Sequence, residues 1–292
     1  MDVNSKLERF EDTDLDEKSL ISVKFEINEN EEEVTTKLNL LKKLLSDLEN
    51  LNANTNDEFL LRFLRGSKFD VDKAFSRIRN YYSVRKKRAD LFERCYPTAL
   101  PLVQDADHSK ALPFRMHDHS AVLIHEQEGI HLETIPFEEY FLMDVLIMEY
   151  ILENPITQRC GLSIIMDYKG YNLQKFLSFT PQRLRLCADT FQNSYPVRIR
   201  RVHVVNAPRL VSLLYNMAYP FLTKKLRSRF VIHSSSDKWK SLHSVFPPEI
   251  LPERYGGQLK SSDIVDLVGM VVKRDNYYRE QLQYGFCDAS QN

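Results

Sequence analysis

The sequence predicts an α/β protein in which a small all-helical lobe precedes a larger lobe built on a largely parallel sheet. Three observations carry this. "EEEVTTKLNLLKKLLSDLEN" spaces Val34, Leu38, Leu41, Leu45 and Leu48 by alternating fours and threes, the stripe of an amphipathic helix. "AVLIHE", "LSIIMDY" and "RVHVVNA" are near-continuous apolar runs, as strands covered on both faces require. Between the last two, Thr180 caps and Pro181 opens the helical segment "PQRLRLCADTFQNSY". Residues 162–207 therefore read as strand, crossover helix, strand, a unit that pairs its strands in parallel.

The elements follow in order. Residues 1–30 form an acidic arm, and over residues 1–35 twelve acids face four bases, a composition that predicts disorder for the arm. A helical lobe is predicted over 31–95. After the striped helix, "TNDEFLLRFLRG" opens with Thr55 and Glu58 in capping-box register and closes on Gly66 as a left-handed terminator. In "FDVDKAFSRIRNYYSVRKKRADLF", Asp70 or Asp72 caps a helix whose Ala74, Phe75, Ile78 and Tyr82 share a face. The larger lobe, 96–285, holds the strands and ends in a closing helix around "DIVDLVGMVVKRDNYYREQL".

A chain of 292 residues with 43% apolar content can bury a sizeable core. Its start has neither the basic residues nor the apolar run of a secretory signal. Cys95, Cys160, Cys187 and Cys287 show no paired spacing, so the chain reads as cytoplasmic with free thiols. No nucleophile elbow, phosphate loop, dinucleotide fingerprint or zinc-protease helix is present, so no catalytic residues are expected and the protein is predicted not to be an enzyme. "MHDHSAVLIHEQEGIH" gathers His117, His119, His125 and His131, but Asp118, His119 and Ser120 read as a turn. These are expected to be surface histidines, with no metal bound.

The net charge of −1 hides an asymmetry. Between Pro181 and Ile232, ten arginines and lysines face a single acid, Asp189, which favours an anionic partner. Arg198 and Arg200 point to one side of a strand, and Lys225 and Arg229 share a helix face. If strand start and helix end are neighbours, the four converge on a site suited to a multiply phosphorylated headgroup; a solvated cationic face is the alternative. Just before the last two lie thirteen uncharged residues, Leu210 to Leu222, too few for the roughly 20 that span a bilayer. On a helix, Leu210, Leu213, Leu214, Met217 and Phe221 make one apolar face and Val211, Tyr215, Ala218 and Leu222 the opposite one. Such a helix is either buried or turned to lipid. The cations that follow favour a membrane interface, with the helix acting as a lid over an apolar cavity when off the membrane. Cations beside an apolar lid, not interleaved with stacking aromatics, argue against nucleic acid.

At these residues the chain resembles the CRAL-TRIO lipid-binding family, in the branch of the α-tocopherol transfer protein and the cellular retinaldehyde-binding protein. The resemblance runs from about residue 34 to 285. It rests on "DEFLLRFLRGSKFDVDKAF", "NYY", "MDYKGYN" with Asp167 and Gly170, "FQNSYPVRIRRVHVVNAP", "PFLTKKLRSRFVIHSS" and "FPPEILPERYGGQL", in the family's order. It implies a sheet that floors a cavity for one hydrophobic lipid, with no other cofactor. By position it assigns Leu173, Leu177, Leu210, Leu214 and Met217 to a mobile lid that touches membrane. Phosphoinositide-binding cations fall on Arg198, Arg200, Lys225 and Arg229. Cavity walls fall on Phe141, Met148, Leu162, Ile164, Met166, Phe191 and Val197. Two departures stand out. Ser67 replaces a cation that relatives often carry, with Lys68 as its substitute, and Arg254 stands where the family usually has Glu, so an ion pair at that corner is absent or reversed.

The expected function is binding and transfer of a small hydrophobic ligand, a retinoid, tocopherol or similar. Phosphatidylinositol bisphosphate at the basic cleft promotes lid opening on a membrane to which the protein attaches reversibly. The alternatives are a phospholipid exchanger of the phosphatidylinositol-transfer type and a phosphoinositide-dependent trafficking adaptor.

Overall fold

The computed structural model describes residues 8–234 and 236–287. The chain opens with helices α1 (Glu17–Glu26) and α2 (Glu31–Ser46), strand β1 (Leu51–Asn52), and helices α3 (Asp57–Gly66), α4 (Val71–Lys87) and α5 (Ala89–Phe92). Strands β2 (Ser109–Ala111) and β3 (Ala121–Glu126) precede α6 (Phe137–Ile151), α7 (Pro155–Cys160) and β4 (Leu162–Asp167). Helices α8 (Leu173–Ser178) and α9 (Pro181–Phe191) cross to β5 (Ile199–Val205), followed by α10 (Arg209–Ala218), α11 (Lys224–Arg227) and β6 (Phe230–Ile232). The chain closes through α12 (Lys240–His243), β7 (Val265–Asp266), α13 (Leu267–Val272), α14 (Asp275–Gln281) and β8 (Gly285–Phe286), the last paired with β1.

The main sheet runs β6-β5-β4-β3-β2-β7. β3 to β6 are parallel, and β2 and β7 add an antiparallel edge. The parallel pairing follows from the crossovers, since each of these strands is followed by helix before the next. Strand alternation divides the apolar residues between two faces. Val122, Ile124, Ile165 and Val205 pack under Leu242, Phe246, Ile250 and Tyr255. Leu123 and Leu162 face the helical side with Phe141 and Met148 of α6, and Val202 and Val204 meet Val211 and Leu214 of α10.

Several local expectations are corrected. The arm is ordered from residue 8, because Arg115, only 2% exposed, donates to the carbonyls of Arg9 and Phe10 and buries Phe10 beside it. Composition gives no sign of a partner 100 residues away. Within the arm, Asp16 caps α1 and Val23 packs on Ile156 and Cys160 of α7. Asn56, not Thr55, caps α3, and Asp70 caps α4. The positive φ after α3 falls on Lys68 and Phe69, not on Gly66. Gly66 serves close approach instead, since a Cβ there would sit 2.2 Å from the Pro196 carbonyl oxygen. The closing helix is split at Lys273 and Arg274.

The buried Glu29 and the partly buried Glu149 join the helical lobe to the sheet lobe. Glu29 pairs with Arg65 of α3 at 2.9 Å and Arg159 of α7 at 2.8 Å. Glu149 of α6 meets Arg62 at 3.6 Å and Arg85 at 2.9 Å, and accepts from the Tyr81 and Tyr195 hydroxyls. Glu149→Gln takes the counter-charge from the buried Arg62 and the partly buried Arg85 and is expected to cost about 2–3 kcal/mol, read as a lower urea midpoint. Glu33→Gln, which breaks only the exposed pair with Lys37, should cost less than about 0.5 kcal/mol. Equal shifts would show that the buried charges do not hold the lobes.

Candidate functional site

The cations singled out in the sequence come together where the two lobes meet. Arg198 lies one residue before β5 and Arg200 on it. Arg198 donates to the Arg159 carbonyl and Arg200 to the Cys160 carbonyl, which aims both side chains past the C-terminus of α7. Lys225 lies on the four-residue α11, and Arg229 lies beyond that helix, so the expected shared helix face does not exist. Arg229 is instead held by the Ile199 carbonyl at the start of β5. Burial depresses the Lys225 ammonium, and the charges of Arg229, Arg77, Lys68 and Arg198 lower it further. Burial also depresses Arg229, with Arg200, Arg198 and Arg201 adding to the effect. All five predicted cations are thus near neighbours. Arg77 of α4 and Arg201 join them, and no spacing in the sequence links Arg77 to the rest.

Two acids, neither linked to these cations in the sequence, face this group: Asp118, 3.7 Å from Arg200 Nε, and Glu26. Glu26 at the end of α1 accepts from Arg198 and bonds Arg200 through both carboxylate oxygens, at 3.1 and 3.0 Å. Burial alone would raise the Glu26 carboxyl, but Arg200 and Arg198 hold it down to about 2. The signal lay in the acid-rich arm, whose order the composition concealed.

The predicted lid residues divide. Leu173 and Leu177 of α8 are 59% and 66% exposed, Leu214 of α10 is buried, and Leu210 and Met217 are half-buried over Tyr168, Tyr171, Val202 and Val204. Leu213, which the position-by-position assignment omitted, is 53% exposed on α10. The thirteen-residue run is not one helix. It turns into a single 3₁₀ turn at Tyr219–Phe221, where Pro220 cannot donate to the helix, and α11 starts afresh on the Thr223 cap.

Of the predicted walls, Phe141, Met148 and Leu162 are buried and Ile164, Phe191 and Val197 half-buried in one cluster. Phe141 and Phe191 meet with ring centroids 5.9 Å apart. Met166 belongs to the neighbouring cluster under α8 and α10. Two pockets, of about 440 and 330 Å³, are lined by other residues. The larger lies at the C-terminal ends of β3 and β4, where Lys110 and Arg254 pair with Glu126, and Lys169 with Glu128. The Arg254 pair is therefore present and reversed, at 2.9 Å. Asp167 at this edge accepts from Tyr255, Asn206 and the Lys169 amide, while Gly170 supplies a φ of 74°.

The histidines do not behave alike. His117 and His131 are exposed and His119 sits at the turn with a φ of 61°, 2.7 Å from Glu8. His125 is not on the outer surface: it faces the helical side of the sheet beside Asp144 of α6, because its strand position has the parity of Leu123. Among the described residues no group of three or more His, Cys, Asp or Glu is placed to hold a metal ion. Nor is any described helix long and apolar enough to cross a membrane.

The CRAL/TRIO domain family matches residues 112–257, and the Pinta-like UBA domain family matches residues 30–99. The human protein named alpha-tocopherol transfer protein-like is 32% identical over 242 residues, 82% of this chain and 70% of the relative. Human clavesin-2 is 29% identical over 259 residues, 86% and 77% of the two chains. The crystal structure of Sfh5 aligns with a TM-score of 0.49 at 14% identity, covering 92% of this chain and 99% of that one. With this agreement of sequence over most of its length, the chain belongs to the CRAL-TRIO family of lipid-binding proteins, in the branch of the α-tocopherol transfer protein.

Proposed function

We propose that the protein binds one small hydrophobic molecule between the sheet and α6, α8, α9 and α10, and transfers it at membranes without changing it chemically. Arg198, Arg200, Lys225, Arg229 and Lys68 bind the phosphates of a phosphoinositide headgroup. The observation that carries this reading is the adjacency of two surfaces along one stretch of chain. Helix α10 presents Leu213 outward beside the exposed Leu173 and Leu177 of α8, and then runs directly into the cationic group. Leucines that insert and cations that meet anionic headgroups are the two contacts an interfacial protein needs. The relative named for the α-tocopherol transfer protein supports a cargo of that size and character.

Enclosing roughly 400 Å² of apolar cargo surface contributes about 10 kcal/mol before ordering costs. Release from such a site needs help, and the lid supplies the route. Headgroup binding at the foot of α10 favours the open lid, and by linkage the cargo weakens headgroup binding by the same factor. A polyphosphate entering the site takes Glu26's place, since one carboxylate and a phosphate cannot both satisfy Arg198 and Arg200.

Three outcomes are expected. Transfer of a retinol or α-tocopherol probe to vesicles should speed up about tenfold when the vesicles contain phosphatidylinositol bisphosphate, and the double variant Arg198→Ala, Arg200→Ala should abolish the increase. Equal rates from both vesicle types and no effect of the variant would refute the coupling. Replacing Leu173, Leu177 and Leu213 by Ser should slow transfer at least tenfold with cargo affinity unchanged, because each inserted leucine contributes on the order of 1 kcal/mol. Glu26→Gln should tighten sedimentation with phosphoinositide vesicles several-fold, whereas an unchanged affinity would mean that Glu26 does not compete for the site.

A further inference from the structure

The seam between the lobes holds the pocket of about 330 Å³, and none of its lining residues belongs to the cationic group or to the layer under α8 and α10. Helices α3 and α4 wall it on one side and α6 and α14 on the other. Its volume lies within the range of small-molecule sites. Helical spacing sets what faces it. Phe59 and Arg62 are three apart on α3, and Tyr81 and Arg85 four apart on α4, so each helix turns a ring and a guanidinium the same way. Eight of the described lining residues are tyrosine or phenylalanine, which makes the wall aromatic rather than aliphatic.

Two guanidinium groups border this space and share one carboxylate, Glu149. Arg85 takes the larger part. It bonds Glu149 at 2.9 Å and the Tyr195 hydroxyl at 2.8 Å, and lies 3.4 Å from the centroid of the Tyr81 ring. Arg62 keeps only an ion pair at 3.6 Å, beyond hydrogen-bond reach, and its Nε has no hydrogen-bond partner among the described residues. Its other neighbours are Tyr277 and Glu153, and Glu153 is committed to Arg274. At the rim the exposed Lys86 and Glu93 bring one charge of each sign. Arg62 is 7% exposed, so water does not make up the difference. A buried, charged donor without an acceptor is unfavourable, and the wall is short of one anionic acceptor.

We propose that this pocket is a second ligand site, separate from the cargo, and that it takes a flat aromatic acid whose carboxylate accepts from Arg62 and whose ring packs among the tyrosines and phenylalanines. A carboxylate presents the acceptors that a guanidinium edge is shaped to meet. An amide offers a single uncharged acceptor, and an amine is repelled by Arg62 and Arg85. A flat ring gains edge-to-face contacts that an alkyl chain does not. Because both lobes supply the wall, the bound acid also stabilises their docking by mass action.

The test is calorimetric titration of the full-length protein with benzoate, 2-naphthoate and indole-3-acetate, each beside its uncharged amide. At least one acid should bind tenfold or more tightly than its amide. Arg62→Met, which removes the charge and keeps an apolar stem, should bring that ratio within about threefold. Leu282→Glu, at the exposed mouth of the pocket, should weaken the acid at least threefold and leave the amide within twofold. Saturating inositol hexakisphosphate, a ligand for the cationic group, and saturating retinol should not displace the acid. Failure of all three acids to bind, equal binding of acid and amide, displacement by either competitor, or an acid affinity unchanged in Leu282→Glu or in a folded Arg62→Met overturns the site. The wild-type ratio, the two competitions and Leu282→Glu decide the matter if Arg62→Met does not fold.

Discussion

The site depends on a seam in which two carboxylates, the buried Glu29 and the partly buried Glu149, are each shared by two arginines from different parts of the chain. Glu29 is shared by Arg65 and Arg159, and Glu149 by Arg62 and Arg85. A buried ion pair is weak evidence of net stability, because desolvation offsets much of the attraction. Its effect on register is stronger, since any sliding of the lobes leaves a charge buried and unmatched. Gly66 adds a steric constraint by letting the α3 backbone touch Pro196, two residues before Arg198. Charge and close contact together fix one docking of the helical lobe on the sheet.

That docking concentrates cations. It brings Lys68 and Arg77 from the helical lobe to Arg198, Lys225 and Arg229 from the sheet lobe, where burial first and the neighbouring charges second depress the Lys225 ammonium. A folded protein keeps such a group where an anion relieves it. In this chain Glu26 supplies part of that relief, and Glu29, three residues on, belongs to the seam. The arm therefore joins lobe docking and the cationic site through two acids on neighbouring turns.

Above the sheet, α8 and α10 work against two environments at once. Val211 and Leu214 are buried, whereas Leu173, Leu177 and Leu213 remain in solvent at a hydrophobic cost. Beneath them Tyr168, Tyr171, Val202 and Val204 make a largely apolar layer.

The sequence by itself determined the parallel sheet, the helical lobe, the Thr180 cap and the basic composition of the segment that carries Arg198 to Arg229, because periodicity and capping are local properties; it left the α4 cap open between Asp70 and Asp72. Strand parity placed Arg198 and Arg200 together, but the helix face expected for Lys225 and Arg229 does not exist, and Arg229 reaches the cluster from beyond α11 by a bond to Ile199. Only the tertiary structure decided the rest. The order of the acidic arm depends on Arg115, more than a hundred residues away from Phe10. The pairing of Glu26 with Arg198 and Arg200 and the partners of Arg77 span similar distances. The isolation of Asp144 against His125 was hidden as well, since a lone acid on an apolar helix and a histidine on a distant strand share no pattern until folding packs one face against the other. Local rules set which groups a segment offers, and long-range docking sets which of them lose water together.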